Sequence, residues 1–140
     1  MDQRDSIEKI GFNIIGDAFQ VRKNVGRGLK EKFYEKALAY ELQQLGLHVE
    51  CQVEVPALYN GVIIDNAYLA DMIIDDSVII EVKAITTMTE KDSRQLFTYL
   101  KLSELKLGYL INFGAIDFSV GNLKEELPYT KGIYRMVNNI

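Results

Sequence analysis

The sequence is poor in the residues that build covalent or metal cross-links. Its 140 residues include one cysteine, Cys51, and one histidine. A single cysteine excludes an internal disulfide and any cysteine-built zinc or iron–sulfur site. No apolar run approaches the roughly 20 residues that span a bilayer, and the N-terminus lacks the layout of a signal peptide. We therefore expect a cytoplasmic protein with no membrane partner.

The remaining composition is that of an ordinary globular protein. Hydrophobic residues make up 48% of the chain and charged residues 26%. At this length we expect one domain over residues 1–140, which buries roughly two-thirds of the surface of the unfolded chain. The net charge of −4 does not indicate a nucleic-acid-binding protein.

Positive charge is nevertheless concentrated between residues 22 and 36. A local basic stripe can contact phosphates even in an acidic protein. The same pattern is equally typical of a solvated helix face, and the sequence does not separate the two interpretations. The candidate nucleic-acid contacts in this stretch are Arg22, Lys23, Arg27 and Lys30.

Hydrophobic periodicity predicts a mixture of helices and strands. Apolar residues at spacings of three and four predict helices over residues 5–24, 29–45 and 89–104. Alternating or continuous apolar runs predict strands over residues 48–58, 68–74, 78–82, 107–113 and 132–137, with a short return strand at 62–64. Residues 114–131 are predicted to be a loop, and Cys51 is expected in the core. The order ααβββαββ indicates an α/β protein.

The most informative stretch is a predicted β-hairpin around Asp75-Asp76-Ser77, which is a turn signal between two apolar runs. If this turn is a three-residue loop, Ile74 pairs with Val78. A loop that differs by one residue would shift the pairing and turn every side chain of one strand to the opposite face.

The three-residue loop brings charged side chains together. Asp71 then lies directly opposite Glu81, and facing Cβ atoms in an antiparallel pair are roughly 4.5–5.5 Å apart. Lys83 follows Glu81 by two residues and therefore points to the same face of the sheet. The alternative loop would place Asp71 opposite Ile80 instead.

Two facing carboxylates destabilise a sheet and therefore need an explanation. A divalent cation supplies one, because hard cations such as Mg²⁺ take oxygen ligands and often use one or two carboxylates. The alternative is that Glu-x-Lys belongs to an ordinary solvated strand face. In that case the chain is a purely structural domain.

A set of motifs spread over nearly the whole chain resembles the GxxExxY proteins, a family of the PD-(D/E)XK nuclease superfamily in its RecB-like branch. The motifs are Gly28-x-x-Glu31-x-x-Tyr34, the stretch Ala37–Leu42, Tyr68-x-Ala70-Asp71, Glu81-x-Lys83, Gln95-x-x-x-Tyr99, Leu110–Phe113 and Gly132-Ile133-x-Arg135. The resemblance implies an α/β fold with a restriction-endonuclease-like αβββαβ core, in which helices flank a mixed central sheet. Residues 1–25 would form an N-terminal helix that packs on this core.

The resemblance also implies a role for individual residues. The implied catalytic residues are Asp71, Glu81, Lys83, Gln95 and Tyr99, and the implied ligands of Mg²⁺ or Mn²⁺ are Asp71, Glu81 and Glu31. Together they would make the chain a metal-dependent phosphodiesterase that cuts nucleic acid, with DNA as the favoured substrate. The alternative is a non-catalytic module of the same fold that binds nucleic acid or a partner protein.

The sequence departs from the pattern of the family at two positions. Arg22 stands where these proteins commonly carry a histidine, and Arg27 stands where a proline is usual. The sheet also lacks obvious insertions for gripping a duplex. Substrate binding would then require a homodimer, a protein partner or a single strand.

Overall fold

The computed structural model describes residues 3–122 and 129–138. These residues form three helices and six strands. In chain order they are α1 (Gln3–Val25), α2 (Glu31–Gln44), β1 (Val49–Tyr59), β2 (Val62–Ile74), β3 (Val78–Lys83), α3 (Glu90–Ser103), β4 (Leu107–Asn112), β5 (Asp117–Gly121) and β6 (Lys131–Val137). Within this part of the chain, no helix has the length and apolar character needed to cross a bilayer.

The strands form one mixed sheet in the order β1-β2-β3-β4-β6-β5. The β1–β2, β2–β3 and β4–β6 pairs are antiparallel, whereas β3–β4 and β5–β6 are parallel. Parallel neighbours need a long crossover connection, and α3 provides it between β3 and β4. The predicted αβββαβ order from α2 to β4 is thus confirmed, as is the mixed sheet flanked by helices.

Helices cover both faces of the sheet, and successive side chains of each central strand point to one face and then the other. On one face α1 and α2 pack over Ile80, Val82 and their neighbours, in a cluster that includes the α1 residues Ile14 and Ala18. On the other face α3 packs over Ile79. Because successive strand residues point to opposite faces, Glu81 and Lys83 lie on the same side of β3 as Ile79.

The structure differs from the sequence-based prediction in three places. The predicted short strand at 62–64 and the strand at 68–74 form one continuous β2, because a register shift against β1 absorbs the residues between them. The predicted loop at 114–131 contains β5, a short strand at the sheet edge, and residues 123–128 of this stretch lie outside the described residues. Cys51 is exposed, because β1 is the opposite edge strand and carries little cover.

Candidate active site

The β2–β3 hairpin has the predicted three-residue loop. Ile74 pairs with Val78, and the ladder continues through Ile73 with Ile79 to Met72 with Ile80. All six of these side chains are buried. The apolar pairs therefore fix the register that decides where the acidic residues fall.

Beyond Met72 and Ile80, hydrogen bonds to side chains replace the backbone pairing of the two strands. The Val82 N–H donates a hydrogen bond of 2.8 Å to Asp71 Oδ2, and the Asp71 N–H donates one of 3.3 Å to Glu81 Oε1. Each carboxylate is thus held by a backbone amide of the facing strand. This reciprocal arrangement brings the two acidic groups together at the end of the hairpin.

The acidic pair lies in a poorly solvated position. Glu81 is only 5% exposed, whereas Asp71 is half-buried. Burial, followed by the negative charge of Asp71, raises the pKa of Glu81 from its ordinary value of 4.5 to about 9, and Lys83 opposes this rise. A buried carboxyl with so high a pKa beside a second carboxylate is typical of a functional site.

Lys83 bridges the sheet and α3. Its Nζ lies 3.8 Å from Asp92 Oδ1. The other oxygen of Asp92 accepts a hydrogen bond of 2.9 Å from the Thr89 N–H, in a capping box that begins α3. One carboxylate therefore both starts the helix and holds the ammonium group beside the acidic pair.

Glu31 approaches the same group of charges from the first turn of α2. Partial burial raises the pKa of its carboxyl; Asp71 and Glu35 add to the rise, and Lys83 opposes it. Glu31 from α2 and Glu81 from β3 are thus each within electrostatic reach of Asp71 and Lys83.

On α3, Tyr99 lies within electrostatic reach of the acidic pair, whereas Gln95 is exposed and contacts Tyr99. The ring of Tyr99 stacks on Tyr68 with centroids 3.7 Å apart, and the Tyr68 hydroxyl donates to the Tyr99 carbonyl. The pKa of Tyr99 is raised by burial and then by the charge of Glu81. The Gln95 amide donates to the Tyr99 hydroxyl, whereas the α3 residue that contacts Lys83 is Asp92.

Two further polar residues, Gln52 and Glu35, connect to Asp71 and were not predicted from the sequence. Gln52 on β1 donates from Nε2 to Glu35 Oε1 at 2.8 Å, and the same atom lies 3.5 Å from Asp71 Oδ1. Glu35 on α2 is only 4% exposed. It follows Glu31 by four residues and therefore shares its side of the helix, a spacing that could have identified it.

The position of Gln52 depends on an irregularity in the β1–β2 hairpin. Near the Asn-Gly turn Tyr59 pairs with Val62, and an uninterrupted ladder from there would place Glu50 opposite Asp71. A register shift between Val55 and Ala57 changes this pairing. Gln52 consequently lies across from Asp71, and no turn rule predicts the shift.

Comparison with known families agrees with this geometry. A model of the PD-(D/E)XK nuclease superfamily matches residues 8–124, a range that includes Glu31, Asp71 and Glu81. The chain belongs to the PD-(D/E)XK nuclease superfamily. Membership of this nuclease superfamily indicates nuclease activity in general and a nucleic acid as substrate. No curated protein and no solved structure matches the chain.

The four predicted nucleic-acid contacts of this PD-(D/E)XK protein divide into two groups. Arg22 donates to the Ala115 carbonyl at 2.7 Å, and Arg27 donates to the Gly114 carbonyl at 3.0 Å. Both arginines thus hold the loop that follows β4. Lys23 and Lys30 are exposed, which leaves their ammonium groups accessible from solvent.

The oxygen donors of the acidic pair suit a hard cation. Asp71 and Glu81 offer adjacent carboxylates, and Mg²⁺ is commonly bound through one or two carboxylates with water completing its shell. Across residues 3–122 and 129–138, no three histidine, cysteine or acidic side chains converge into a fuller ligand set. A cation here would therefore rely on the acidic pair, with Glu31 nearby.

Proposed function

We propose that this protein is a metal-dependent nuclease that hydrolyses phosphodiester bonds of DNA at Asp71, Glu81 and Lys83. The observation that carries the proposal is the reciprocal hydrogen bonding of Asp71 and Glu81 at the end of the hairpin. With Lys83 on the same side of β3, two acidic groups and one ammonium group converge.

Asp71 and Glu81 would hold Mg²⁺ or Mn²⁺. When bound, such an ion supplies a Lewis acid that polarises the phosphate and lowers the pKa of coordinated water. The Lys83 ammonium group orients the attacking water and balances the negative charge that develops on the phosphoryl oxygens. Asp92, at 3.8 Å from Nζ, keeps that ammonium group beside the sheet.

The surrounding residues have supporting roles in the proposal. Glu31 is a further ligand candidate, supported by its electrostatic interaction with Asp71 and Lys83. Tyr99 and Gln95 form the α3 wall of the site, supported by the stacking of Tyr99 on Tyr68. This wall and the motif around Glu31 support assignment to the GxxExxY family and to the RecB-like branch.

The substrate would be held by charge outside the acidic group. Lys23 and Lys30 are exposed and are the first candidates for phosphate contacts, whereas Arg22 and Arg27 contribute by holding the loop after β4. The proposed nuclease acts as a homodimer or with a protein partner. It is supported by large apolar side chains exposed at the turn end of the β1–β2 hairpin, namely Leu58, Tyr59, Val62, Ile63 and Ile64.

The proposal is tested by incubating the purified protein with single- and double-stranded DNA and with RNA, in Mg²⁺, Mn²⁺ or EDTA. We expect cleavage that requires the metal and is lost in Asp71→Asn and Glu81→Ala. Asp76→Asn is the matched control, because it removes an exposed carboxylate from the same hairpin. Asn also tolerates the left-handed backbone at this position, where φ is 52°.

The second candidate is a non-catalytic module of the same fold that binds nucleic acid or a protein. The observation that favours it is the small ligand set, since the described part of the chain has no cluster of three acidic, histidine or cysteine side chains that could hold a cation. Mn²⁺ binding that is weakened by Glu81→Ala, without cleavage of any nucleic acid, would favour this module. Cleavage that survives in Glu81→Ala, or in EDTA, contradicts the proposed nuclease site.

A further inference from the structure

Gln52 has an unusual backbone conformation for its place in the fold. Among the described residues, the non-glycine residues with positive φ are Gln52, Asn60, Asp75, Asp76 and Glu104. All except Gln52 lie in a hairpin turn or at the end of α3, where this conformation is common. Gln52 lies inside β1 with φ of 53°, and it is not one of the residue types that favour this region.

The side chain of Gln52 joins two elements to the acidic pair. Its Nε2 donates to Glu35 Oε1 at 2.8 Å and makes a longer contact of 3.5 Å with Asp71 Oδ1. An amide nitrogen carries two hydrogens, so one nitrogen can serve both carboxylates. Gln52 therefore links α2 to β2 through a single polar atom.

Both carboxylate oxygens of Asp71 consequently face a hydrogen-bond donor. Oδ2 accepts from the Val82 N–H at 2.8 Å, and Oδ1 faces the Gln52 amide. With both oxygens engaged, the plane of the carboxylate is restricted. Glu35 is itself buried and is held on its other oxygen by Lys32, whose Nζ lies 3.9 Å from Oε2, so it keeps the Gln52 amide in place.

We propose that Gln52 is a positioning residue for the acidic site. Its left-handed backbone conformation within β1 directs its side-chain amide at Asp71, and this amide orients the Asp71 carboxylate toward a bound divalent cation. The inference rests on the proposed function, because it presumes that Asp71 and Glu81 bind the cation. Backbone strain that is retained at such a point is typical of functional sites, where it orients a group that the chemistry needs.

Gln52→Gly separates this role from a structural one. Glycine adopts positive φ without steric cost, so the variant relieves the backbone while it removes the amide. We expect only a small change in the thermal midpoint, because relief of the backbone offsets the lost hydrogen bond to Glu35. We also expect roughly 10- to 100-fold weaker Mn²⁺ binding, the usual effect of losing a partner of a metal ligand. Mn²⁺ binding is measured by calorimetry on the full chain, so that the readout does not depend on cleavage.

Asn60→Gly is the matched control. Asn60 also has a left-handed backbone, with φ of 49°, but it lies in the β1–β2 turn. We expect this variant to bind Mn²⁺ like the wild type. Gln52→Asn serves as a second variant if Gln52→Gly fails to fold. Asparagine tolerates positive φ, and its shorter side chain withdraws the amide from the carboxylates.

The outcomes distinguish this inference from the proposed function. Wild-type binding that is lost in Glu81→Ala but unchanged in Gln52→Gly and Gln52→Asn overturns the role of Gln52 and leaves the metal site standing. A large fall in stability with unchanged Mn²⁺ affinity also overturns it, because Gln52 would then be structural. Absence of Mn²⁺ binding in the wild type overturns both.

Discussion

The two halves of the β2–β3 hairpin are built on opposite principles. Near the turn, the strands are joined by backbone pairing between buried apolar residues, from Ile74 with Val78 to Met72 with Ile80. At the far end, carboxylates replace carbonyls as acceptors, and Glu81 is buried at the cost of a pKa raised to about 9. The apolar half fixes the register, and the acidic half uses it. We therefore expect substitutions in the two halves to have opposite effects on stability.

The largest effect on stability is expected in the apolar half. Ile80 is fully buried, so Ile80→Ala leaves a cavity between the sheet and α1/α2. We expect the free energy of unfolding to fall by about 2–5 kcal/mol, measured by urea denaturation. Ile116→Ala is the control, because Ile116 is 74% exposed immediately before β5 and should change stability by no more than about 0.5 kcal/mol. Equal losses of stability in the two variants would contradict a stabilising role for the buried apolar half of the hairpin.

The next effect is the pH dependence of the acidic half in metal-free solution. Because the pKa of Glu81 is raised from 4.5 to about 9, the folded protein holds a proton that the unfolded chain releases between these values. The contribution of Glu81 to the free energy of unfolding therefore falls as pH rises from about 5 to about 9, by an amount on the order of a few kcal/mol.

Glu81→Gln isolates this contribution. The neutral amide resembles the protonated carboxyl in shape, so the variant should be more stable than the wild type at pH 8 and should lose most of the pH slope. Thermal denaturation in EDTA across this pH range measures the difference. A wild type that becomes more stable toward pH 9 relative to Glu81→Gln would show that the pair is not strained by burial. Loss of cleavage together with gain of stability is the mark of a functional carboxylate.

The smallest effect is expected at Asp92, which connects the acidic half to α3. Asp92→Asn removes a negative charge from the first turn of the helix and the partner of Lys83. We expect a loss of about 1 kcal/mol in the free energy of unfolding and a several-fold fall in cleavage rate, measured on the same preparation. Glu90→Gln is the comparison, because it removes a first-turn charge that pairs with Arg94 and not with Lys83. Equal falls in cleavage for both variants would exclude a specific effect on Lys83.

Sequence reasoning succeeded where local chemistry decides the structure. The turn signal at Asp75-Asp76-Ser77 and the apolar runs beside it determine the pairing of Ile74 with Val78, and the structure has that pairing. The αβββαβ order is also confirmed, because each of its elements carries its own periodicity. The assignment of catalytic roles to Asp71, Glu81 and Lys83 stays a prediction.

Sequence reasoning failed where distant segments decide the structure. The register shift between Val55 and Ala57 moves Gln52 opposite Asp71, and it has no clear signal in the sequence. The attachment of Arg22 and Arg27 to carbonyls of the loop after β4 joins residues about ninety positions apart. β5 is an edge strand of only five residues with a glycine at its end, and its pairing with β6 supplies the order that so short a run does not predict.

The hydrogen bond from the Val82 N–H to Asp71 Oδ2 makes one backbone amide a spectroscopic reporter of the acidic site. Its acceptor is a carboxylate oxygen, and hydrogen bonds to ionised acceptors are shorter and stronger than those to neutral ones. The proton resonance of Val82 and its exchange with deuterium therefore respond to whatever engages the Asp71 carboxylate, in the unmodified protein. A single assigned amide thus allows a nuclear magnetic resonance titration to follow ligand arrival at the hairpin.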